Sequence, residues 1–174
     1  MIKRKAEEKI EHFLKENRNK ALLITGARQT GKTFSIRRVA EKLNPDYVEL
    51  NFLENRDARE LFAAARDSKE ILLSISALTQ KDLKPHETII FLDEVQECPE
   101  ILTTIKFLVE EGSYKYILSG SLLGVEMKNI RSMPVGYMGI IEMFPLDFEE
   151  FCRANGMGDA VITHVFECFS EKNL

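Results

Sequence analysis

The sequence predicts an α/β fold with three layers, in which helices cover both faces of a mostly parallel sheet of five strands. Two observations support this prediction. Short, continuous apolar runs, typical of strands that are buried on both faces, recur along the chain. Segments with apolar residues at helical spacing separate these runs, so strands and helices alternate, as they do in parallel sheets with right-handed crossovers.

The first elements are an amphipathic helix, a strand and a second helix. Apolar residues of the N-terminal stretch lie on one side of a 3.6-residue helix, which we expect to pack beside the core. The run Ala21–Thr25 predicts the first strand, which stops at Gly26. A helix over about Lys32–Leu43 follows, and the pair Asn44-Pro45 breaks it.

The remaining strands are predicted at four segments rich in apolar, β-branched or aromatic side chains, namely 47–52, 88–92, 114–119 and 139–144. Two helical segments lie between the second and third strands, and Ser68 is a candidate cap of the second one. Pro99 and Gly112 mark the start and the end of the next helix. The sequence therefore predicts alternating strands and helices up to residue 144.

Two short helices are predicted after the fifth strand. Asp147 with Glu150 matches a capping box that starts the first of them. The second begins near Asp159 and carries apolar side chains on one face, which predicts a neighbour for that face.

Composition restricts the classes of partner. Lysine and arginine total 24 against 28 aspartates and glutamates, which gives a net charge of -4. A chain of this charge has no overall positive electrostatic potential that would attract a polyanion, so indiscriminate nucleic-acid binding is disfavoured. A local basic patch that binds nucleic acid is still compatible with this charge.

The three cysteines are odd in number and widely spaced, which predicts reduced thiols. Without a signal peptide or a membrane span in the sequence, we expect a cytoplasmic protein with no membrane partner.

A glycine-containing loop joins the first strand to the second helix and matches the pattern G-x-x-x-x-G-K-[ST]. Its backbone N–H groups are expected to converge on phosphate, Lys32 to reach the β and γ oxygens, and Thr33 to offer its hydroxyl to Mg²⁺. Arg28 is expected either to contact the ligand or to form a structural ion pair. The predicted nucleotide-binding residues are Gly26, Ala27, Arg28, Gln29, Thr30, Gly31, Lys32, Thr33 and Phe34.

Acidic and polar residues follow the third and fourth strands. Asp93 is expected to hold Mg²⁺ partly through water, and Glu94 to polarise the attacking water. A fourth strand inserted between the first and third gives the sheet order 5-1-4-3-2. Ser119 at its end is then a candidate catalytic sensor of water or γ-phosphate, with Ser121 as the competing choice. Gln96 is expected to orient Glu94, to signal the state of the γ-phosphate to the surface, or to be an exposed polar residue.

These residues predict ATP or ADP as the nucleotide, Mg²⁺ as the metal and hydrolysis as the reaction, with Lys32, Glu94 and Ser119 as catalytic residues. The sequence contains no [NT]-K-x-D element for guanine, which favours ATP. Two alternatives remain at this point. One is a regulatory module that binds ATP with negligible turnover, and the other is a small-molecule kinase.

Four segments together resemble the AAA-type P-loop ATPase domain of bacterial and archaeal proteins. The segments are GARQTGKT, IIFLDEVQ, ILSGS and EMFPLDFEEF, and the resemblance covers residues 18–152. It implies ATP binding by Gly31, Lys32 and Thr33, metal-linked action by Asp93 and Glu94, and a sensor near Ser119. Family proteins are usually longer and carry a further C-terminal domain.

The resemblance also implies a division of the chain into three parts, and the chain departs from the family pattern at one position. We divide the chain into an N-terminal helix (1–17), the ATPase domain (18–152) and a C-terminal helix (153–174) that begins a further region. Many relatives place an arginine after the glycine before the last strand, where this chain has Gly136-Tyr137. Arg131, in the long connection 122–138, or a second copy of the chain would then supply that charge. The expected partner is this further domain, another protein or a homo-oligomer.

Overall fold

A computed structural model describes residues 3–16, 19–65, 67–121 and 135–170. Its strands form one sheet in which every pairing is parallel. The strands are β1 (Ala21–Thr25), β2 (Val48–Asn51), β3 (Ile89–Asp93), β4 (Lys115–Ser119) and β5 (Met138–Glu142). Their order is β2-β3-β4-β1-β5, which confirms the predicted order 5-1-4-3-2 when it is followed from the β5 edge.

Helices cover both faces of this sheet. The helices are α1 (Lys5–Glu16), α2 (Lys32–Leu43), α3 (Arg56–Ala64), α4 (Ser68–Thr79), α5 (Glu100–Glu111), α6 (Phe148–Ala154) and α7 (Asp159–Ser170). A 3₁₀ turn spans Val95–Glu97 directly after β3, and a second one spans Val135–Tyr137. Within the four described ranges, no helix has both the length and the apolar character needed to cross a membrane.

Alternating side chains of β1 belong to two separate core clusters, one on each face of the sheet. Ala21 and Leu23 of β1 pack in a cluster with buried residues of α3, α4 and α5. Leu22 and Ile24 point to the opposite face and pack with Ile10 of α1 and with residues of α2. The sheet is therefore buried on both faces, and the predicted three-layer α/β/α architecture is confirmed.

Helix ends agree with the sequence at most positions. Helix α2 begins at Lys32, Gly112 caps the end of α5 in the left-handed region, and Asp147 and Glu150 form the predicted capping box of α6. The predicted cap of α4 is wrong. The carboxylate of Asp67, not Ser68, accepts a hydrogen bond from the Glu70 N–H at 2.9 Å, because the helix begins one residue earlier than the pattern indicated.

The strand order brings the carboxyl ends of β1, β3 and β4 to one edge of the sheet. Strand β4 pairs with β1 through Ile24 and Ser119, and with β3 through Leu92 and Leu118. In parallel sheets this edge is where ligands bind. The loop after β1, Asp93 at the end of β3 and Ser119 at the end of β4 consequently lie together.

Helix α7 exposes much of its predicted apolar face. Ile162 is buried, whereas Phe169 is 72% exposed and Phe166 is about half exposed. The Phe166 ring meets the Phe148 ring of α6 edge to face, with 6.2 Å between the ring centroids. The contacts of α7 among the described residues are therefore mainly with α6.

Candidate functional site

The phosphate loop, residues 26–33, has a backbone that few residue types can adopt. Gly26, Gln29 and Gly31 have φ values of 140°, 64° and 88°. A Cβ atom on Gly26 would lie 2.1 Å from the carbonyl oxygen of Met143, so only glycine fits at this position. Gln29 is a non-glycine residue in the left-handed region, which stores strain of about 1–3 kcal/mol in the loop.

Lys32 lies at the mouth of the loop and is 7% exposed. Its Nζ donates to the carbonyl oxygens of Gly26 and Ala27 at 3.1 Å and 2.8 Å, and to Ser121 Oγ at 3.2 Å. Burial lowers the pKa of Lys32, while the charges of Glu94 and Asp93 act in the opposite direction. The loop thus holds a partly desolvated ammonium group next to two carboxylates.

Asp93 is buried at the end of β3 and accepts hydrogen bonds from four groups. Its Oδ2 accepts from Thr33 Oγ1 at 3.0 Å and from Asn51 Nδ2 at 3.4 Å. Its Oδ1 accepts from the Ser119 hydroxyl and from the Glu94 N–H. Burial raises the pKa of Asp93, and the hydroxyls of Ser119 and Thr33 partly counteract this effect. The carboxylate is therefore fixed in orientation before any ligand binds.

Asn51 is a site residue that was not predicted from the sequence. It is the last residue of β2 and pairs in register with Asp93, which places its amide beside the carboxylate. The available signal was its position, because a polar residue at the carboxyl end of a parallel strand faces the same edge as Asp93.

Glu94, Gln96, Ser121 and Lys32 form a continuous hydrogen-bonded chain. Gln96 Nε2 donates to Glu94 Oε2 at 2.5 Å, and Gln96 Oε1 accepts from the backbone N–H of Ser121 at 3.1 Å. Glu94 has a left-handed backbone with a φ of 56° and starts the 3₁₀ turn after β3. The short turn brings the Gln96 amide within hydrogen-bond distance of Glu94, and the orienting role of Gln96 stays a prediction.

Two clefts flank the phosphate loop. The first has a volume of about 730 Å³, and its polar lining includes Lys32, Thr33, Glu94, Gln96 and Ser121. The second has a volume of about 740 Å³ and lies on the other side of the loop. It is lined by Arg4, Gln29, Thr30, Gly31, Phe34, Ser35, Pro145 and Leu146. A third cleft of about 740 Å³, between β2, α3 and α4, has no residue of the loop in its lining.

The predicted site residues differ in where they lie relative to these clefts. Arg28 lines the first cleft, and Gln29, Gly31 and Phe34 line both. Ser119 is 1% exposed and lines neither of them, while its competitor Ser121 lines the first cleft. Tyr137 donates to Glu110 of α5 at 2.5 Å. Arg131 and most of the connection 122–138 lie outside the described residues.

Thr33 and Asp93 fit a magnesium ion. They offer a hydroxyl and a carboxylate oxygen 3.0 Å apart, with Thr33 in the lining of the first cleft and Asp93 buried behind it, and Mg²⁺ prefers such oxygen donors. No group of three or more histidine, cysteine, aspartate or glutamate residues in the described ranges could hold a metal. Magnesium at phosphate sites usually takes one or two protein ligands, with water and phosphate oxygens as the others.

The parallel sheet and the glycine loop between β1 and α2 define the P-loop NTPase class of fold. Within that class, the family model described as AAA domain matches residues 18–152, and the chain belongs to this family. AAA domains generally bind ATP or ADP with Mg²⁺. A search of curated proteins found no match.

Solved structures with a similar fold come from much longer chains. One is PCH-2 of C. elegans, with 13% identity and a TM-score of 0.48 over 82% of this chain and 42% of that one. Another is a Pif1 helicase in a structure of DNA unwinding at forked duplexes, with 16% identity and a TM-score of 0.49 over 84% of this chain and 45% of the other. The chain thus spans less than half the length of either protein.

Proposed function

We propose that this chain binds Mg-ATP and hydrolyses it, and that the ATP and ADP states act as a switch for a protein partner or a further domain. One observation supports this proposal above the others. A candidate general base, a cation and two magnesium ligands all line or border the first cleft, namely Glu94, Lys32, Thr33 and Asp93. Each of these groups matches a requirement of phosphoryl transfer to water.

The roles follow from the contacts of each residue. In this proposal, Lys32 leaves the carbonyl oxygens of Gly26 and Ala27 and binds the β and γ oxygens of ATP, since its ammonium is desolvated and gains from an anion. Thr33 and Asp93 hold Mg²⁺, which supplies charge neutralisation on the phosphates. Glu94 accepts a proton from the water whose oxygen bonds to the γ-phosphorus, and ADP leaves as the β–γ bridging bond breaks.

Ser121 is our preferred sensor, and Ser119 is assigned to Asp93. The Ser121 hydroxyl already contacts Lys32 Nζ, and its backbone N–H contacts Gln96, so it is next to the position of the γ-phosphate. Ser119 donates to the Asp93 carboxylate and is buried. We therefore propose that Ser119 orients the metal ligand, and that its predicted role as a direct sensor passes to Ser121.

The second cleft is proposed to take the base and the ribose. Phe34, Pro145 and Leu146 offer apolar surface for a purine ring beside the phosphate loop. Ser35 also lines this cleft, and its buried hydroxyl has no partner among the described residues. A nucleotide that spans both clefts would place its phosphates at the loop and its base against Phe34.

Phosphate release from ATP by the wild type and by Glu94→Gln tests the proposal. We expect the variant to lose at least about a hundredfold in turnover while it keeps its ATP affinity, because the amide cannot accept the proton but preserves the shape of the side chain. Glu60→Gln, an exposed residue of α3, is the matched control and should keep wild-type turnover. Equal rates for the wild type and Glu94→Gln would remove Glu94 from the reaction.

A module that binds ATP without turnover is the second candidate. The Gln96 amide donates a hydrogen bond to one oxygen of Glu94 at 2.5 Å, and an oxygen that already accepts this bond is a weaker acceptor for a proton from water. Strong thermal stabilisation by ATP with no phosphate release, even at high protein concentration, would favour this candidate. A turnover number that rises with protein concentration would instead indicate that a second copy completes the site. Phosphate transfer only after an acceptor is added would favour a kinase.

A further inference from the structure

Arg4 joins three segments of the chain that are far apart in sequence. It precedes α1 and is 8% exposed. Its Nη1 donates to the carbonyl oxygen of Thr30 at 2.6 Å, and its Nη2 donates to the carbonyl oxygen of Phe144 at 2.7 Å. Its Nε lies 3.2 Å from Glu150 Oε2, in an ion pair without hydrogen-bond geometry. We call Arg4, Thr30, Phe144 and Glu150 the Arg4 junction.

Glu150 extends the junction to two helix starts. It is 5% exposed, and its Oε1 accepts from the backbone N–H of Lys5, the first residue of α1, at 2.7 Å. Its Oε2 accepts from the backbone N–H of Asp147 at 3.2 Å. In return, the Asp147 carboxylate accepts from the Glu150 N–H at 2.8 Å and completes the capping box of α6. The buried charge of Arg4 is thus neutralised by Glu150, the residue of the first turn of α6 that completes its capping box.

The contact with Thr30 affects the phosphate loop itself. In a trans peptide the C=O and the N–H that follows it lie in one plane and point in opposite directions. A guanidinium that holds the Thr30 carbonyl on the Arg4 side therefore directs the Gly31 N–H away from Arg4. Phosphate loops bind their ligand through N–H groups, so the direction of this peptide is part of the binding geometry.

We propose that Arg4 is a positioning residue that fixes the Thr30–Gly31 peptide for phosphate binding and couples nucleotide occupancy to the stability of α6. This inference rests on the proposed function, because it needs a nucleotide at the loop. A nucleotide that orders the loop strengthens the hydrogen bond from Arg4 to the Thr30 carbonyl oxygen. Because Arg4 also pairs with Glu150, this stabilises the first turn of α6. Coupling is reciprocal, so α6 raises the nucleotide affinity by the same factor.

An arginine suits this junction, and a lysine does not. The guanidinium carries five donors in a planar fork and contacts two carbonyls and a carboxylate at once. An ammonium at the same place keeps the charge but cannot span these three acceptors. Arg4→Lys therefore separates the geometry of the junction from its charge.

The experiment compares the wild type with Arg4→Lys, Glu150→Gln and the control Lys15→Gln, which removes an exposed charge of α1. Titration calorimetry measures the affinity for ATP and for inorganic tripolyphosphate. We expect about tenfold weaker binding of both ligands by Arg4→Lys, since one charge-assisted hydrogen bond is lost or misdirected. Lys15→Gln should bind both ligands as the wild type does. A loss for ATP alone would assign Arg4 to the base and overturn the proposal.

Hydrogen exchange of the amides of residues 148–154, with and without ADP, is the second readout. The wild type should show slower exchange in α6 when ADP is bound, and Glu150→Gln should bind ADP without this protection. Glu150 lies outside both loop-flanking clefts, so this variant keeps the test decisive if Arg4→Lys folds poorly. Wild-type binding of ADP with unchanged exchange in α6 would overturn the coupling. No binding of any nucleotide by the wild type would instead contradict the proposed function.

Discussion

Gly26 shows how one residue without a side chain fixes the start of the phosphate loop. Its φ of 140° and the carbonyl oxygen of Met143, 2.1 Å from the position of a Cβ, leave no room for any other residue. We expect Gly26→Ala to lower the free energy of unfolding by about 3 kcal/mol or more, because backbone strain and overlap with the chain add. Equilibrium denaturation in urea measures this change.

Gly136→Ala is the matched control for that substitution. No described atom lies within 4 Å of a Cβ at Gly136, and its φ is outside the left-handed region. The free energy of unfolding should change by less than about 0.5 kcal/mol. Similar losses in the two variants would show that the contact between Gly26 and Met143 is not the cause.

Gln96 is the residue through which Glu94 is held in place. We expect Gln96→Ala to lower kcat about tenfold to a hundredfold, because a base that loses its orienting bond spends less time aligned with the water. The affinity for ATP should change less than about threefold, since Gln96 lies two residues beyond the acidic pair and not in the phosphate loop. Single-turnover kinetics with parallel titrations separate the two quantities. An unchanged kcat would contradict this role.

Several site residues could be predicted from the sequence, and others could not, for a physical reason. Lys32 and Thr33 belong to a local loop motif at the start of α2, and Asp93 and Glu94 lie at the end of β3, so the local sequence indicates the position of all four. Asn51 contacts Asp93 only because β2 and β3 pair in a particular register. Arg4 contacts Phe144 across 140 positions, and no local pattern reports a contact of that range.

The starts of α1 and α6 are joined by Glu150, and this junction makes stability depend on pH. Burial raises the pKa of Glu150, but the Lys5 N–H, the Arg4 guanidinium and the Asp147 N–H lower it more, so the pKa lies below its ordinary value of 4.5. The pKa of Asp147 is also lowered, first by the Glu150 N–H and then by Lys5. Both carboxylates therefore bind protons less readily in the folded state than in the unfolded state.

We expect this contribution to stability to be complete above the unfolded pKa values and to be lost as pH falls through the lower folded values. The unfolded chain binds more protons in this range, so the free energy of unfolding falls with decreasing pH below about 4.5. Glu150→Gln should have a lower free energy of unfolding than the wild type at pH 7. Below about pH 4.5, the free energy of unfolding of this variant should fall less steeply with decreasing pH. Urea denaturation from pH 3 to 7 measures both. Parallel curves for the two proteins would contradict the assignment.

The type and order of the helices and strands were easier to predict than the residues at which they begin and end. The limits of α2 follow from the phosphate loop and from Asn44-Pro45, and the end of α5 follows from Gly112. The start of α4 was misplaced because Asp67 and Ser68 are both good caps, and only the bond to Glu70 distinguishes them. Strand limits moved by one or two residues, because pairing partners decide where a ladder begins.

The strand order of the sheet positions the groups of the candidate site, because β4 lies between β1 and β3. This order separates the phosphate loop from Asp93 by one strand, and Lys32 and Glu94 both line the first cleft. This order was predicted because the second strand lies between the phosphate loop and the acidic pair in the sequence, and a fourth strand follows that pair. The position of α1 against the loop and α6 depends on buried contacts of Arg4 and Glu150, which periodicity does not encode.

Because ATP is proposed to bind only the folded chain, Mg-ATP should raise the thermal stability of the whole domain. At a concentration a hundred times Kd the gain is about 2.7 kcal/mol. For a domain of this size that corresponds to a rise in Tm of roughly 5–10 °C. Lys32→Ala should lose this rise, because the ammonium that binds the triphosphate is gone.

The stability of Lys32→Ala without nucleotide separates a binding defect from a folding defect. The pKa of Lys32 is lowered mainly by burial, so its charge costs stability in the folded state, while its bonds to Gly26 and Ala27 contribute stability. These two effects oppose each other, and we expect a Tm within a few degrees of the wild type. Lys42→Ala, which removes an exposed ammonium from the same helix, should keep the full rise with Mg-ATP. Scanning calorimetry of the three proteins would contradict the proposed ATP binding if the wild type showed no shift, or if Lys32→Ala showed the same shift as Lys42→Ala.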